Sequence, residues 1–403
     1  MAAVCVVTAG YFWAAGRVPG DTMDVAWQAP ADGTAAGQGE GDALSDANGT
    51  WPAGGTLVRS RSALVTGLDA GTGAREWEYR PPGRSRICAT AADVERSVLL
   101  VTRDDENRPA SAGRQLCTTL AAVDIGTGRE IWRTTLPAAP REKRISDYQR
   151  ARVTAGGGLT LLSHRALRAV DSRTGEVRWT AAVPPGCLPA HALPAARRVG
   201  AVLACGGGPT KEPNGIPKDA GLHAVAFDPA TGALLWSMPV GDREPAVWGE
   251  TGALLVSADP LVVDRVGTFQ FFGGDGRPHP PIDVNSSSVA VDEHRLYALD
   301  GRYVKKAGSR HSAVAFDLAT GRQAWRTDLD SDVGVFHLQD GRLTAVGRRQ
   351  DMLFVPAVRL YVLDAATGEE REVRRFPYGE NPWGKAFEHE GRLIVDGTAY
   401  ARS

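Results

Sequence analysis

One short pattern recurs along this chain and limits what it can fold into. It is a small apolar strand, an aspartate, two residues, Thr-Gly, three residues and a tryptophan. It reads Gly67-Leu68-Asp69 with Thr72-Gly73 and Trp77, then Ala122-Val123-Asp124 with Thr127-Gly128 and Trp132. It returns as Ala169-Val170-Asp171 with Thr174-Gly175 and Trp179, and as Ala226-Phe227-Asp228 with Thr231-Gly232 and Trp236. Ala315-Phe316-Asp317 with Thr320-Gly321 and Trp325 follows, and Val362-Leu363-Asp364 with Thr367-Gly368 carries Glu372 where the tryptophan belongs. Phe269-Gln270-Phe271-Phe272 with Gly274-Asp275-Gly276-Arg277 reads as a worn copy lacking both Thr and Trp. The motif aspartates stand 55, 47, 57, 89 and 47 residues apart, the longest step spanning two repeats. Fixed internal spacing at such a period marks a repeat architecture.

The chemistry of the motif is that of a hairpin. The strand before the aspartate has the apolar run of a strand covered on both faces. The carboxylate folds onto backbone N–H groups just ahead, as in an Asx-turn. The glycine after the threonine supplies a left-handed residue, so Gly73, Gly128, Gly175, Gly232, Gly321 and Gly368 are read with the six aspartates as turn positions. A period of this length leaves room for about four short strands, one propeller blade. Arg152 to Ala155 and Leu159 to Leu162 supply two such strands ahead of the third motif.

The Ala-x-Asp-x-x-Thr-Gly-x-x-x-Trp pattern resembles the PQQ-like propeller repeat of bacterial quinoprotein dehydrogenases and of the outer-membrane assembly lipoprotein BamB. The likeness covers about residues 56 to 403. It implies an all-β fold, a single β-propeller of about seven four-stranded blades, with eight possible. It also implies that Trp77, Trp132, Trp179, Trp236 and Trp325 dock against the neighbouring blade. Thr56 to Trp77 is too short for four strands, whereas Ala386 to Asp396 leaves a spare strand or two. C-terminal strands are therefore expected to complete the first blade and close the ring, which hides open sheet edges.

Residues 1–15 read as an apolar leader, part of a membrane anchor or export signal. Ala2 to Ala15 carry no charge, yet a span needs about 20 apolar residues and a signal needs a basic start; an apolar first strand is the other reading. Residues 16–55 read as a flexible linker, because Ala31 to Gly55 is rich in Gly, Ala, Asp and Ser and poor in aliphatics. Trp27, inside it, is expected to affect stability by under about 0.5 kcal/mol. A net charge of -1 calls for no nucleic-acid partner and no acidic membrane surface, leaving contact with a membrane to the N-terminal segment.

The five cysteines are Cys5 in the leader and Cys88, Cys117, Cys187 and Cys205. The last four fall as two pairs, each within one repeat, where neighbouring strands bring them together. Two disulfides and an oxidising, extracytoplasmic compartment follow; four separate thiols are the alternative. No Cys-x-x-Cys occurs, which speaks against zinc.

Catalytic motifs are not found. The quinoprotein enzymes that the repeat resembles use adjacent cysteines, calcium ligands and a catalytic Asp, and no position here matches those roles, so neither PQQ nor another cofactor is expected. Asp328 to Asp332 begins like a calcium loop but has Val333 and Gln339 where glycine and glutamate are needed. Arg141 to Arg152 is the densest basic stretch; with Arg144, Tyr148 and Arg150 it reads either as a contact for an acidic ligand or protein or as a solvated loop. Trp248 and Trp383 lie outside the docking positions and either line one face or are packed. The chain thus reads as a non-enzymatic extracytoplasmic propeller binding a protein or small ligand on one face. A cofactor-dependent enzyme and a sensor module of a membrane system are the rivals.

Overall fold

The structure, a computed structural model, describes residues 20–30, 48–103, 117–136, 152–206, 220–242 and 253–401, less 62, 84, 165, 266, 305–307, 330, 350–356, 378–379, 381, 383–384 and 396. The leader at 1–15 lies outside these residues. Strands β1 (Asp21–Thr22) and β2 (Asp24–Gln28) come first. The first sheet is β3 (Gly49–Ala53), β4 (Thr56–Arg61), β5 (Leu64–Asp69) and β6 (Arg75–Tyr79). The second is β7 (Ile87–Asp93), β8 (Val98–Arg103), β9 (Thr119–Asp124) and β10 (Glu130–Thr135). The third is β11 (Arg152–Gly156), β12 (Leu159–His164), β13 (Ala166–Val170) and β14 (Val177–Thr180). The fourth is β15 (Cys187–Pro194), β16 (Val199–Cys205), β17 (Gly221–Phe227) and β18 (Leu234–Asp242). The fifth is β19 (Leu254–Ala258), β20 (Leu261–Arg265), β21 (Thr268–Phe272) and β22 (Ile282–Asp283). The sixth is β23 (Ser286–Val291), β24 (Arg295–Val304), β25 (Gly308–Asp317) and β26 (Gln323–Asp328). The seventh is β27 (Asp332–Gln339), β28 (Arg342–Arg349), β29 (Ala357–Asp364) and β30 (Glu370–Arg375), and the last strands are β31 (Ala386–His389), β32 (Arg392–Val395) and β33 (Thr398–Ala401).

The fold is an all-β propeller, and the described residues form eight blades. The chain divides into two compact units, residues 29–281 and residues 1–28 with 282–403. In each unit the first strands of successive sheets lie beside one another and the fourth strands face outward. The two middle strands of each sheet hold the core: Val98 to Arg103 of β8 are fully buried, and Leu120 to Val123 of β9 and Ala224 to Phe227 of β17 are at most 1% exposed.

The motif turns follow from their residues. At Asp69 the Thr72 N–H and hydroxyl donate to one carboxylate oxygen at 2.7 and 2.6 Å. The Gly73 N–H donates to the Asp69 carbonyl at 2.8 Å. Asp228 and Asp317 repeat this with Thr231 and Thr320 at 2.7–2.8 Å, Asp364 with Thr367, Asp124 with the Thr127 hydroxyl and Asp171 with the Thr174 N–H. Each turn ends on a glycine with φ between +68° and +76°. The worn copy keeps the turn by other means: Asp275 accepts from the Arg277 N–H, and Gly276 has φ +83°.

Each motif tryptophan lies on the turn glycine of the next sheet. A Cβ placed on Gly128 would stand 2.5 Å from the Trp77 ring, on Gly175 3.0 Å from Trp132, and on Gly232 2.5 Å from Trp179. Gly276 and Gly368 meet Trp236 and Trp325 the same way. The indole N–H then donates to a carbonyl of that turn, Trp132 to Ser172, Trp179 to Pro229, Trp236 to Gly274 and Trp325 to Ala365, at 2.9–3.1 Å. Glycine is thus required twice over at these places, for a left-handed φ and for the closeness of the ring.

The closing strands differ from expectation. The first sheet is complete without help, because Gly49–Ala53 forms β3 paired to β4. The C-terminal strands β31 to β33 instead form an eighth blade, whose outer strand is the N-terminal β2. Its third strand and its tryptophan-bearing fourth strand come from opposite ends of the sequence, so no copy of the motif marks this blade. β1 adds a parallel fifth strand to the seventh sheet. The reading of residues 16–55 as a linker is therefore corrected at β1, β2 and β3; residues 31–47 lie outside the described residues. Trp27 pairs with Ala399 just after a bulge, the register that Trp132 holds with Ala122. It is 8% exposed, and the expectation that it is a surface residue fails.

Burying one indole contributes on the order of 5 kcal/mol, about 200 Å² at 25 cal/mol/Å², as an upper bound. Trp325→Ala is expected to cost roughly 3–5 kcal/mol in urea unfolding. Trp27→Ala is expected to cost well over 1 kcal/mol for the same reason; a change below about 0.5 kcal/mol would show that its burial carries no weight.

The Arg178 guanidinium sits 2.5 Å from Asp171 and holds its carboxyl at about 2, with the Thr174 and Arg173 N–H groups adding to the effect. A depressed carboxyl contributes stability that is present above the unfolded value near 4 and fades as pH falls toward 2. The pair is solvent-facing, so the contribution is small. Asp171→Asn is expected to lower Tm by about 1–2 °C at pH 7, with the difference closing between pH 4 and pH 2. A pH-independent difference would rule out the ion pair as its source.

The four cysteines form two disulfides, Cys88–Cys117 within the second sheet and Cys187–Cys205 between paired positions of β15 and β16. A bridge across 18 residues is worth about 3 kcal/mol by its restriction of the unfolded chain. Replacing Cys187 and Cys205 together by alanine is expected to lower unfolding free energy by that amount, and a reducing agent should abolish the difference between variant and parent.

Candidate functional site

The two ends of each sheet are built differently. In the unit formed by residues 29–281, the links from first to second strand are tight, such as Gly54-Gly55 and Gly157-Gly158. The links from third to fourth strand are the Asp-Thr-Gly turns in the first four sheets and the longer 273–281 in the fifth. Antiparallel order puts both kinds at one end. The connections 104–118, 136–151, 206–220 and 243–253, the longest between sheet strands of this unit, start and finish at the opposite end. In the other unit the connections 350–356 and 376–385 likewise follow a second and a fourth strand.

A cavity of about 180 Å³ opens among the inner strands of the second, third and fourth sheets. Its lining is Thr90 from β7, Arg152, Val153 and Thr154 from β11, Ser163 from β12, and Ala190, His191 and Ala192 from β15. The pleat explains the division. Val153, Ala190 and Ala192 are buried, while Thr90, Arg152, Thr154, Ser163 and His191 alternate with buried neighbours and are half-exposed. Arg152 opens β11 directly after a long connection and pairs in register with Ser163. The Thr154 hydroxyl donates to the Ala192 carbonyl at 3.2 Å, tying the third sheet to the fourth. The described lining offers a guanidinium, hydroxyls and an imidazole, and no carboxylate.

The disulfides stand at the same end. Cys88 precedes Thr90 in β7, and Cys187 precedes His191 in β15. Both side walls of the cavity are thus covalently fixed to their own sheets. The tight-turn end is held by polar links instead: Asp93 accepts from Ser172 at 2.7 Å and from Arg96 at 3.0 Å, and Arg96 also donates to the Gly158 carbonyl.

A second feature not visible in the sequence is a set of buried arginines. Arg103 ends β8 with no exposed surface, 3.9 Å from Glu130 and 3.5 Å from the Ser85 hydroxyl. Tyr79 donates to the same Glu130 carboxylate at 3.0 Å, and burial, with the Glu130 charge, pushes its phenol well above the usual range. In the other unit His337 of β27 packs edge-on against Phe387 of β31, and burial, with the Lys385 ammonium nearby, pulls its imidazole down to about 4.

The residues singled out from sequence fall unevenly. Arg144, Tyr148, Arg150, Trp248 and Trp383 lie outside the described residues, as does Asp330 of the acidic run. Asp328 of that run binds Ser312, Leu329 is buried, and Asp332 stands 3.4 Å from His311, so these groups point to separate partners. Among the described residues no group of three His, Cys, Asp or Glu is placed to hold a metal. PQQ with calcium does not fit the cavity's donor set. Calcium needs several oxygen ligands converging on one point, and the described lining supplies hydroxyls with a cation among them. Arg152 is the one member of the basic stretch that the structure places, and it enters the cavity. Thr90 and His191 were missed; their signal is a polar residue alternating with alanine inside an inner strand.

Comparison with known proteins agrees with the fold. No curated protein matches the chain. BamB from Moraxella catarrhalis is 16% identical, with a TM-score of 0.52 over 89% of this chain and 97% of that one. The quinohemoprotein alcohol dehydrogenase of Comamonas testosteroni is 13% identical, with a TM-score of 0.56 over 93% of this chain and 72% of that one. A quinohemoprotein alcohol dehydrogenase of Pseudomonas putida HK5 is 12% identical, with a TM-score of 0.54 over 93% and 71%. The family model described as outer membrane protein assembly factor BamB matches residues 105–271 and 223–403. This chain therefore belongs to the PQQ-like propeller family that carries that description.

Proposed function

We propose that this chain is a non-enzymatic, extracytoplasmic propeller that holds a protein or small ligand at the end of the blades from which the long connections leave. The observation that carries this reading is the segregation of connections. In residues 29–281 the first-to-second links and the Asp-Thr-Gly turns lie at one end of the sheets, and the longest links, 104–118, 136–151, 206–220 and 243–253, start and finish at the other, beside both disulfides. Loops set on a rigid scaffold are where binding residues concentrate. Leu188 and Leu254, at the starts of β15 and β19, are 47% and 51% exposed at that same end and give it apolar contact surface. The disulfides support an oxidising compartment, and the family description supports a role in assembly over one in turnover. Against catalysis stands the repetition of the motif aspartates. A residue repeated around a propeller serves the turn, as the threonine contacts at Asp69, Asp228, Asp317 and Asp364 illustrate.

Calorimetric titration of the calcium-loaded chain with PQQ, followed by a dye-linked dehydrogenase assay on alcohols and sugars, tests the non-enzymatic half of this reading. No saturable heat and no dye reduction are expected. One-to-one binding at micromolar concentration together with dye reduction would overturn it.

A further inference from the structure

We infer that the cavity between β7, β11 and β15 binds a small oxyanion, the carboxylate or phosphate group of a compact ligand, with Arg152 as its charged anchor. The inference rests on the loop-bearing end being the binding end. Arg152 carries five N–H donors in a planar fork. It can keep an acceptor within the protein and still present paired donors to a carboxylate or phosphate, the geometry that makes such bonds strong. Ser163 stands directly across from it in register. Thr90 and His191 line the same space from the sheets on either side, so hydrogen-bonding groups from three blades border one cavity. The described lining brings no carboxylate to repel an anion.

Size narrows the class. About 180 Å³ falls below the roughly 300–1,000 Å³ of sites for drug-sized ligands. The ligand is one acid group on a short body, not a peptide or a polycyclic cofactor. The walls are also fixed in advance. Thr154 bonds β11 to Ala192 of β15, and the strands bearing Thr90 and His191 each carry a disulfide at the cavity end. A site that needs no ordering on binding keeps more of its interaction energy as affinity.

Calorimetry on the full chain at low ionic strength, with inorganic phosphate, citrate and glucose as separate probes, tests this. Saturable one-to-one binding of phosphate or citrate is expected, with none of glucose; the stronger of the two anions tells phosphate from carboxylate. Arg152→Gln should weaken the binding at least tenfold, and Arg152→Lys by less, since it keeps the charge and loses the fork. Thr90→Val keeps the shape and removes one hydroxyl, and should weaken binding a few-fold with an unchanged melting curve. Binding undiminished in both Arg152→Gln and Thr90→Val would overturn the assignment, as would no saturable binding of either anion, or glucose bound as well as they are. A chain that ignored both anions and also failed to take PQQ would lose this site while keeping its non-enzymatic role.

Discussion

The seat of an indole on a left-handed glycine is the contact on which the rest of this propeller depends. A four-stranded sheet with both faces apolar cannot stand alone in water; it must lie against another sheet. The motif solves orientation and contact together. The aspartate and threonine close a turn, the turn sets a glycine at positive φ, and the absence of a Cβ there lets the neighbouring ring descend onto the backbone. The indole N–H then satisfies a carbonyl of the same turn, so the ring is buried without an unpaired polar atom at Trp132, Trp179, Trp236 and Trp325. The worn fifth copy shows which part is indispensable. It has lost threonine and tryptophan but keeps Gly276 under Trp236.

The pairing of β2 with β33 applies the same logic to the chain ends. Left as three strands, β31 to β33 would expose the edge of β33, and open edges invite pairing with other chains. β2 covers that edge and brings Trp27 into the register that the motif tryptophans hold in their own sheets. The N-terminal stretch looked like linker because its strands are short and set among Gly, Ala and Asp.

Building six of the eight blades on one turn leaves one end of those sheets little room to vary. The long connections leave from the other end, where both disulfides and the cavity of Arg152 stand. Fold and proposed recognition are thus separated along the strands of residues 29–281: the Asp-Thr-Gly turns stand at one end, and the candidate binding end is the other. Arg103 and Glu130 of the second sheet and Tyr79 of the first add a buried polar link between the two.

The sequence by itself determined the class of fold, the blade, the turn geometry and the cysteine pairs. All of these depend on residues near one another in the chain, whose spacing is fixed by hydrogen bonds within one hairpin or one sheet. It could not show the eighth blade, because its third and fourth strands lie some 370 positions apart and no motif joins them. Nor could it show Trp27 as buried, since burial there depends on a partner strand from the other terminus. The cavity is the clearest case of what only tertiary structure decided. Thr90, Arg152, Ser163 and His191 have no common spacing in sequence, and each alone reads as an ordinary polar residue on a strand. They meet because three inner strands from successive blades lie side by side with their pleats in step, a relation set by how sheets pack and not by anything the local sequence encodes.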